Sequence, residues 1–316
     1  MPYEPPFEIT PDISTVALEI AEMVGSLSPA SDLAASPTLH RRLRIQTIHS
    51  SLAIEQNTLT EEQVTAVLEG KRVLGPPDDI REVENAKRAY DLMNELNPFS
   101  LDDLLRAHGT MMEGLAKDAG RFRSKNAGVY DERGVLVHAG TPATYVPGVM
   151  SDVFAWLKGT EVPPLIASCV FHYEFEFVHP FSDGNGRTGR LWHTLLLARW
   201  RPVLAWLPVE SMIRQRQGGY YASNADGAST RFIAFMLRAI RDAIAPYCAS
   251  ADPSRRLRLA VMDAFEEDPH ATVDDVAERI GASKRTVERA IASLKDEGRV
   301  RRIGSPRAGH WEVERT

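Results

Sequence analysis

His179-Pro-Phe-Ser-Asp-Gly-Asn-Gly-Arg-Thr-Gly-Arg190 is a polar, glycine-rich stretch that runs directly into the apolar helix pattern Leu191-Trp-His-Thr-Leu-Leu-Leu197. Gly184, Gly186 and Gly189 carry no Cβ, so backbone N–H groups come close to a ligand there. The start of a helix adds unpaired N–H donors and partial positive charge, which together suit phosphate. Arg187 and Arg190 are three residues apart, share one helix face and are placed to clamp phosphate oxygens. Asp183 supplies a carboxylate for Mg²⁺, which binds nucleotides through one or two carboxylates plus phosphate oxygens. Asn185 offers an amide to the same anion. His179 is able to take a proton from an attacking hydroxyl near neutral pH. Within twelve residues stand the parts that transfer of a phosphate-centred group requires. A glycine-rich turn with a structural histidine is the plain alternative, but it leaves this convergence unexplained.

The stretch resembles the Fic motif H-P-F-x-[D/E]-G-N-G-R-x-x-R and matches it at every fixed position. The resemblance implies a protein adenylyltransferase that moves AMP from ATP to a Ser, Thr or Tyr hydroxyl of a target protein. His179 would be the general base and Asp183 the Mg²⁺ ligand. Gly184, Asn185 and Gly186 would form the anion hole, Arg187 would hold the phosphates and Arg190 the γ-phosphate. Thr188 and Gly189 complete the nucleotide-binding turn. Phosphate-transferring relatives of the Doc type depart from the motif around its Gly-Arg positions, and this sequence does not.

Ser51-Leu-Ala-Ile-Glu55-Gln56-Asn57 resembles the family's inhibitory-helix motif [S/T]-x-x-x-E-[G/N]. Ser51 and Glu55 share a helix face, being i and i+4. The family implies that Glu55 pairs with Arg190 and takes the γ-phosphate's place, in cis. Gln56 departs from the family's Gly or Asn. Gly120-Arg-Phe-Arg123 resembles the turn before the family's flap, and the hairpin-like stretch around Asp131-Glu-Arg-Gly134 and on through Thr144-Tyr145-Val146 would be that flap. Such a flap holds a target strand by main-chain pairing; an ordinary surface hairpin reads the same way. Tyr220, Tyr221 and Asn224 look like the adenine-side element, although paired tyrosines also serve as core. His172 and Glu176 have metal-binding spacing but no third ligand, which favours a structural role.

The remaining chain reads as helices with short strands. Helical periodicity runs from about Ile13, at Thr38–Glu55, Thr60–Glu69, Ile80–Asn94, Leu101–Leu115, Gly148–Leu157, Leu165–Phe177, Gly186–Trp200, Ser211–Ser223 and Thr230–Ala245. Thr60-Glu-Glu-Gln63 is a capping box, and Ser100 caps the helix after it. The expected fold class is all-α: a Fic helical core with a small β-hairpin flap, plus a C-terminal winged helix-turn-helix. The expected divisions are 1–95, an N-terminal helical region with the inhibitory helix; 96–248, the catalytic core; and 252–316, the winged helix.

Helices near 254–267, 272–280 and 283–297, then Val300-Arg-Arg-Ile303 and His310-Trp-Glu-Val313, carry that last expectation. Ser283 would cap the recognition helix. Residues 279–309 hold nine basic side chains against three acidic ones, in a chain of net charge −6. The local excess suits DNA phosphates; a protein-docking or dimerising wing fits equally, and a homodimer stays open. The overall negative charge argues against a coat for nucleic acid or membrane along its whole length. Cys169 and Cys248 both lie in apolar context and read as buried thiols of a reducing compartment. Residues 1–11 carry four prolines and no apolar run, and no long apolar stretch follows, so the expectation is a cytoplasmic chain with no membrane partner. A second reading is a DNA-binding transcriptional regulator whose Fic part senses nucleotide; a variant of the first is removal of AMP from modified proteins.

Overall fold

The computed structural model describes residues 3–27, 31–130, 136–223, 229–249, 253–304 and 309–314. They form two compact units, one of Met1–Gly25 with Pro29–Ala245 and one of Ser26–Ser28 with Pro246–Thr316. In the larger unit the helices are α1 (Pro11–Ser26), α2 (Asp32–Ala35), α3 (Pro37–Ile54), α4 (Glu61–Leu68), α5 (Pro77–Asp91) and α6 (Leu101–Met111). The antiparallel pair β1 (Gly128–Tyr130) and β2 (Leu136–Ala139) follows. Then come α7 (Val146–Gly159), α8 (Pro164–Val178), α9 (Asn185–Trp200), α10 (Val209–Gln215), α11 (Gln217–Ser223) and α12 (Thr230–Ala249). The fold is mostly helical, as its sequence periodicity required. Among the described residues, no helix is long and apolar enough to cross a membrane.

Local chemistry starts the helices, at Thr60 and Ser100 where the sequence placed caps and also at Ser36. Ser36 Oγ accepts from Leu39 N at the head of α3, and Ser100 Oγ from Asp103 N at the head of α6. Thr60 and Gln63 form the reciprocal capping box of α4. The stretch 211–223 is not one helix but two, because the chain turns at Arg216 (φ −124°, ψ 34°), whose guanidinium reaches Asp242 on α12 at 2.6 Å. Periodicity alone does not show such a break.

α8 and α9 occupy the middle of this unit, and that is what positions the site. Nearly every residue of α8 is buried, and the first thirteen positions of α9 include twelve buried ones. Phe154, Phe171, Phe175, Phe181 and Trp192 fill one apolar core with Ile48 and Leu52 of α3, Val83 of α5 and Leu104 of α6. Trp192 satisfies its indole N–H on Pro98 O (3.2 Å). The loop between α8 and α9 therefore hangs between two rigid helices.

The smaller unit holds α13 (Pro253–Glu267), α14 (Val273–Ile280) and α15 (Lys284–Asp296), then the antiparallel strands β3 (Val300–Ile303) and β4 (His310–Val313). Thr272 and Asp275 form a capping box, Gly281 ends α14 at φ 65°, and Ser283 caps α15. Trp311 stacks on Phe265 at 4.4 Å and anchors the hairpin to the helices. This is the expected winged helix-turn-helix. Cys169 is buried, but Cys248 is only half-buried, so the pairing of the two as core thiols holds for the first alone.

Candidate active site

α8 ends on His179, which takes φ 51°, ψ 61°, a left-handed conformation that costs a non-glycine residue about 1–2 kcal/mol. That turn throws residues 180–184 across the start of α9. Gly184 caps α9 at φ 80°, where a Cβ would also strike the Met112 side chain, so only glycine fits. The loop is tied from within by Asn185, whose side chain accepts from Phe181 N and donates to Phe181 O, both at 2.9 Å. The Asn185 amide thus holds the loop's shape through both its oxygen and its nitrogen. His108 of α6 stacks on Phe181 at 3.6 Å between centroids. Its Nδ1 accepts from Gly120 N (2.9 Å), which leaves the proton on Nε2 to donate to Asp183 O (3.0 Å).

Both arginines of the loop-helix are buried and meet carboxylates from other helices. Arg190 is 1% exposed. Its Nε donates to Ser51 Oγ (3.0 Å), and its Nη2 to Ser51 O (2.9 Å) and Glu55 Oε1 (2.8 Å). Burial opposes the charge on Arg190, yet Glu55 and neighbouring acids hold its pKa above the ordinary value. The Glu55 carboxylate also rests against Gly186, where a Cβ would collide with it. An anion from the end of α3 therefore sits on the first turn of α9. Arg187 lies between Glu82 Oε1 (2.6 Å) and Asp183 Oδ1 (2.9 Å), and Glu82 accepts through Oε2 from Asn57 Nδ2 (2.8 Å).

Asp183 is exposed, like Ser182 before it, its side chain 61% accessible. Oδ1 accepts from Arg187 and Gly184 N (2.6 Å), and Oδ2 has no hydrogen-bond partner among the described residues. His179 is mostly buried, and burial lowers its pKa, with the Glu176 carboxylate opposing. It is therefore a neutral imidazole at pH 7, the form that accepts a proton.

Around this centre, His172 and Glu176 are core groups. His172 Nε2 lies 3.2 Å from the Tyr220 hydroxyl and 3.7 Å from Glu176 Oε1, and burial lowers its pKa to about 3. Burial also lifts the Glu176 pKa to about 7. Among the described residues no group of three metal ligands forms here or elsewhere. The tyrosine pair divides: Tyr220 is buried in a ring cluster with His172, Phe232 and Phe235, while Tyr221 is 49% exposed. Tyr220 is thus a core residue, and Tyr221 alone offers a ring to a base. Asn224 and the hairpin turn 131–135 lie outside the described residues.

A family model described as Fic/DOC family matches residues 98–197. The crystal structure of a Fic family protein from Desulfovibrio desulfuricans is 40% identical, covers 99% of this chain and 98% of its own, and superposes with a TM-score of 0.75. The chain belongs to the Fic family. Protein adenylyltransferase fic-1 of Caenorhabditis elegans is 31% identical over 235 residues, 68% of this chain and 43% of that relative. Protein adenylyltransferase Fic of Nematostella vectensis is 29% identical over 223 residues, 65% and 49%. This Fic chain spans under half the length of these curated relatives. A model described as winged helix-turn-helix DNA-binding matches residues 254–301.

Sequence reasoning missed Glu82 and His108. Each acts on the Fic loop-helix across a long stretch of chain, Glu82 through Arg187 and His108 through Phe181 and Asp183 O, and neither carries a local pattern that announces it.

Proposed function

We propose that this chain transfers AMP from ATP to a side-chain hydroxyl of a target protein, and that Glu55 restrains the reaction in cis. One observation carries the reading: a built-in carboxylate rests on Gly186 and Arg190 at the start of α9, a place made for anions. The curated relatives named protein adenylyltransferase support it. In the reaction, His179 takes the proton of the target hydroxyl, whose oxygen attacks the α-phosphorus. The bond to the β-phosphate oxygen breaks, and pyrophosphate leaves with those electrons. The N-terminal amides of α9, with Arg187 and Arg190, offset the phosphate charge. Arg190 serves either Glu55 or the γ-phosphate, since Glu55 Oε1 already occupies the anion position at its Nη2.

Magnesium fits the residues present. The free Oδ2 of exposed Asp183 is a single hard oxygen ligand, and Mg²⁺ takes its other ligands from phosphate oxygens and water. The ion would neutralise phosphate charge. Tyr221 would lie on the adenine side, and Asn224 remains part of that proposal. A cytoplasmic location and the divisions 1–95, 96–248 and 252–316 are proposed with it.

The test uses ATP labelled on the α-phosphate. Glu55→Gly should carry label onto protein, and adding His179→Ala should abolish it. No label on protein from the Glu55→Gly variant, with candidate targets or with itself, removes the reading.

A second reading concerns the winged helix. Arg285 and Arg289 stand exposed on one face of α15, with no carboxylate partner among the described residues. That favours contact with DNA phosphates. Binding that weakens steeply with salt, and less steeply after Arg285→Ala with Arg289→Ala, is expected; no mobility shift at low salt rejects it.

A further inference from the structure

Arg123 is a buried cation, 3% exposed, with no carboxylate partner among the described residues. Among the described residues, its side-chain hydrogen bonds all go to backbone carbonyls. Nε donates to His179 O (2.7 Å), Nη1 to Lys125 O (2.9 Å), and Nη2 to Val178 O (3.3 Å) and to Thr141 O. Its own N–H donates to Pro180 O (3.0 Å). These acceptors belong to two structures. Val178, His179 and Pro180 form the left-handed turn that aims the His179 side chain. Lys125 and Thr141 flank the β1–β2 hairpin at its two ends. Gly140 N donates to Ala127 O (3.1 Å) and Ala143 N to Asn126 Oδ1 (2.9 Å), which closes the hairpin's base. A Cβ at Gly140 would press on Ala127 O at 3.0 Å and on Arg123 Nη2 at 3.1 Å, so the packing around the guanidinium is tight.

We propose that Arg123 is a positioning residue that sets the offset between the hairpin's ends and His179, and so fixes where a target hydroxyl meets the base. The inference rests on the transferase reading above. A target strand laid along the hairpin inherits its position from the hairpin's base. The base inherits its position, through one guanidinium, from the carbonyl of the residue that removes the proton. Lysine cannot reproduce this, because a single ammonium does not span four carbonyls set apart on two segments. The charge has a second effect: it faces His179 and favours the neutral ring. The other charged groups facing His179 are Glu176, from its own helix, and Glu55, from the end of α3, and both act in the opposite sense.

The experiment separates reach from charge in the Glu55→Gly background. Arg123→Lys keeps the charge and loses the clamp; Arg123→Gln loses both. Each should lower kcat on protein by about 10²-fold, the effect of misplacing reactants by about 1 Å, with the ATP Kd within about twofold of the parent. Arg123→Gln should raise the His179 pKa, read by imidazole NMR, and Arg123→Lys should leave it in place. Full kcat in Arg123→Lys overturns the proposal, as does an ATP Kd that worsens in step with kcat. An unmoved His179 pKa in Arg123→Gln also overturns it. Where Arg123→Gln does not fold, Arg123→Lys decides, and full kcat in that variant overturns the proposal. The imidazole titration needs no turnover. A parent with no transferase activity therefore defeats the functional reading alone.

Discussion

Glu55 and Arg190 meet at 2.8 Å, and the arginine is buried while the glutamate is 32% exposed. Removing the carboxylate leaves a buried cation whose remaining hydrogen bonds among the described residues go to Ser51. Glu55→Gly should therefore lose about 1–3 kcal/mol of stability, less than the 3–5 of a fully buried pair because Glu55 is partly solvated. ATP should raise the Tm of this variant more than that of the wild type, since phosphate refills the vacated place. Equal ATP shifts in the two proteins, by thermal denaturation, would count against the competition between Glu55 and nucleotide.

His179 supplies a pH signature. Burial lowers its folded-state pKa, so the neutral base persists below the ordinary histidine range. In the Glu55→Gly variant, activity should hold through pH 6.5 and fall only as the pH drops below the lowered value. A kcat/KM profile whose acid limb lies at or above pH 6.5 contradicts this.

Glu176 makes a prediction about stability alone. Its carboxyl is buried, Oε1 has no hydrogen-bond partner among the described residues, and burial pushes its pKa up from the ordinary 4.5 to about 7. The folded state keeps a proton that the unfolded state has released. Stability should thus fall as pH rises from about 4.5 to about 7, then level off, a loss of about 3 kcal/mol at most. Glu176→Gln should remove that slope and be the more stable protein at pH 8. Parallel stability curves for the two proteins between pH 5 and 8, by urea denaturation, would rule it out.

Gln56 occupies φ 68°, the region that favours glycine or asparagine. Gln56→Gly should gain up to about 1 kcal/mol, the relieved strain minus the unfolded-state entropy glycine adds. Gln56→Ala should gain nothing. If the two variants melt together, the left-handed turn carries no strain.

Much of this was readable from sequence because its signals are local. Spacing puts Ser51 with Glu55, and Arg187 with Arg190, on shared helix faces; caps at Thr60, Ser100 and Ser283 mark helix starts. The motif's Gly-Arg pattern announces the anion site. What stayed hidden is non-local or carried by the backbone. Glu82 reaches Arg187 across 105 residues. His108 touches the carbonyl of Asp183, and Arg123 touches four carbonyls, and a carbonyl has no sequence identity to read. Asn185 looked like an anion ligand because its type suits one, yet Phe181 claims both ends of its amide.

The end of α3 is built to move in a small way. Upstream, Arg44 lies over the rings of Tyr90 and Trp206, and Ser50 Oγ bonds to Ser211 Oγ at 2.9 Å. Downstream, Glu55 N and Gln56 N close on the carbonyls three residues back, and Asn57 N returns to Leu52 O. Under the proposed restraint, unwinding one turn of backbone would swing the carboxylate off Arg190. Fraying of one helical turn is fast, from sub-microsecond to microsecond. Hydrogen exchange should accordingly find the amides of 53–57 far less protected than those of 43–50. A restraint of this kind answers to the nucleotide concentration at any instant, with no slow domain rearrangement to delay it.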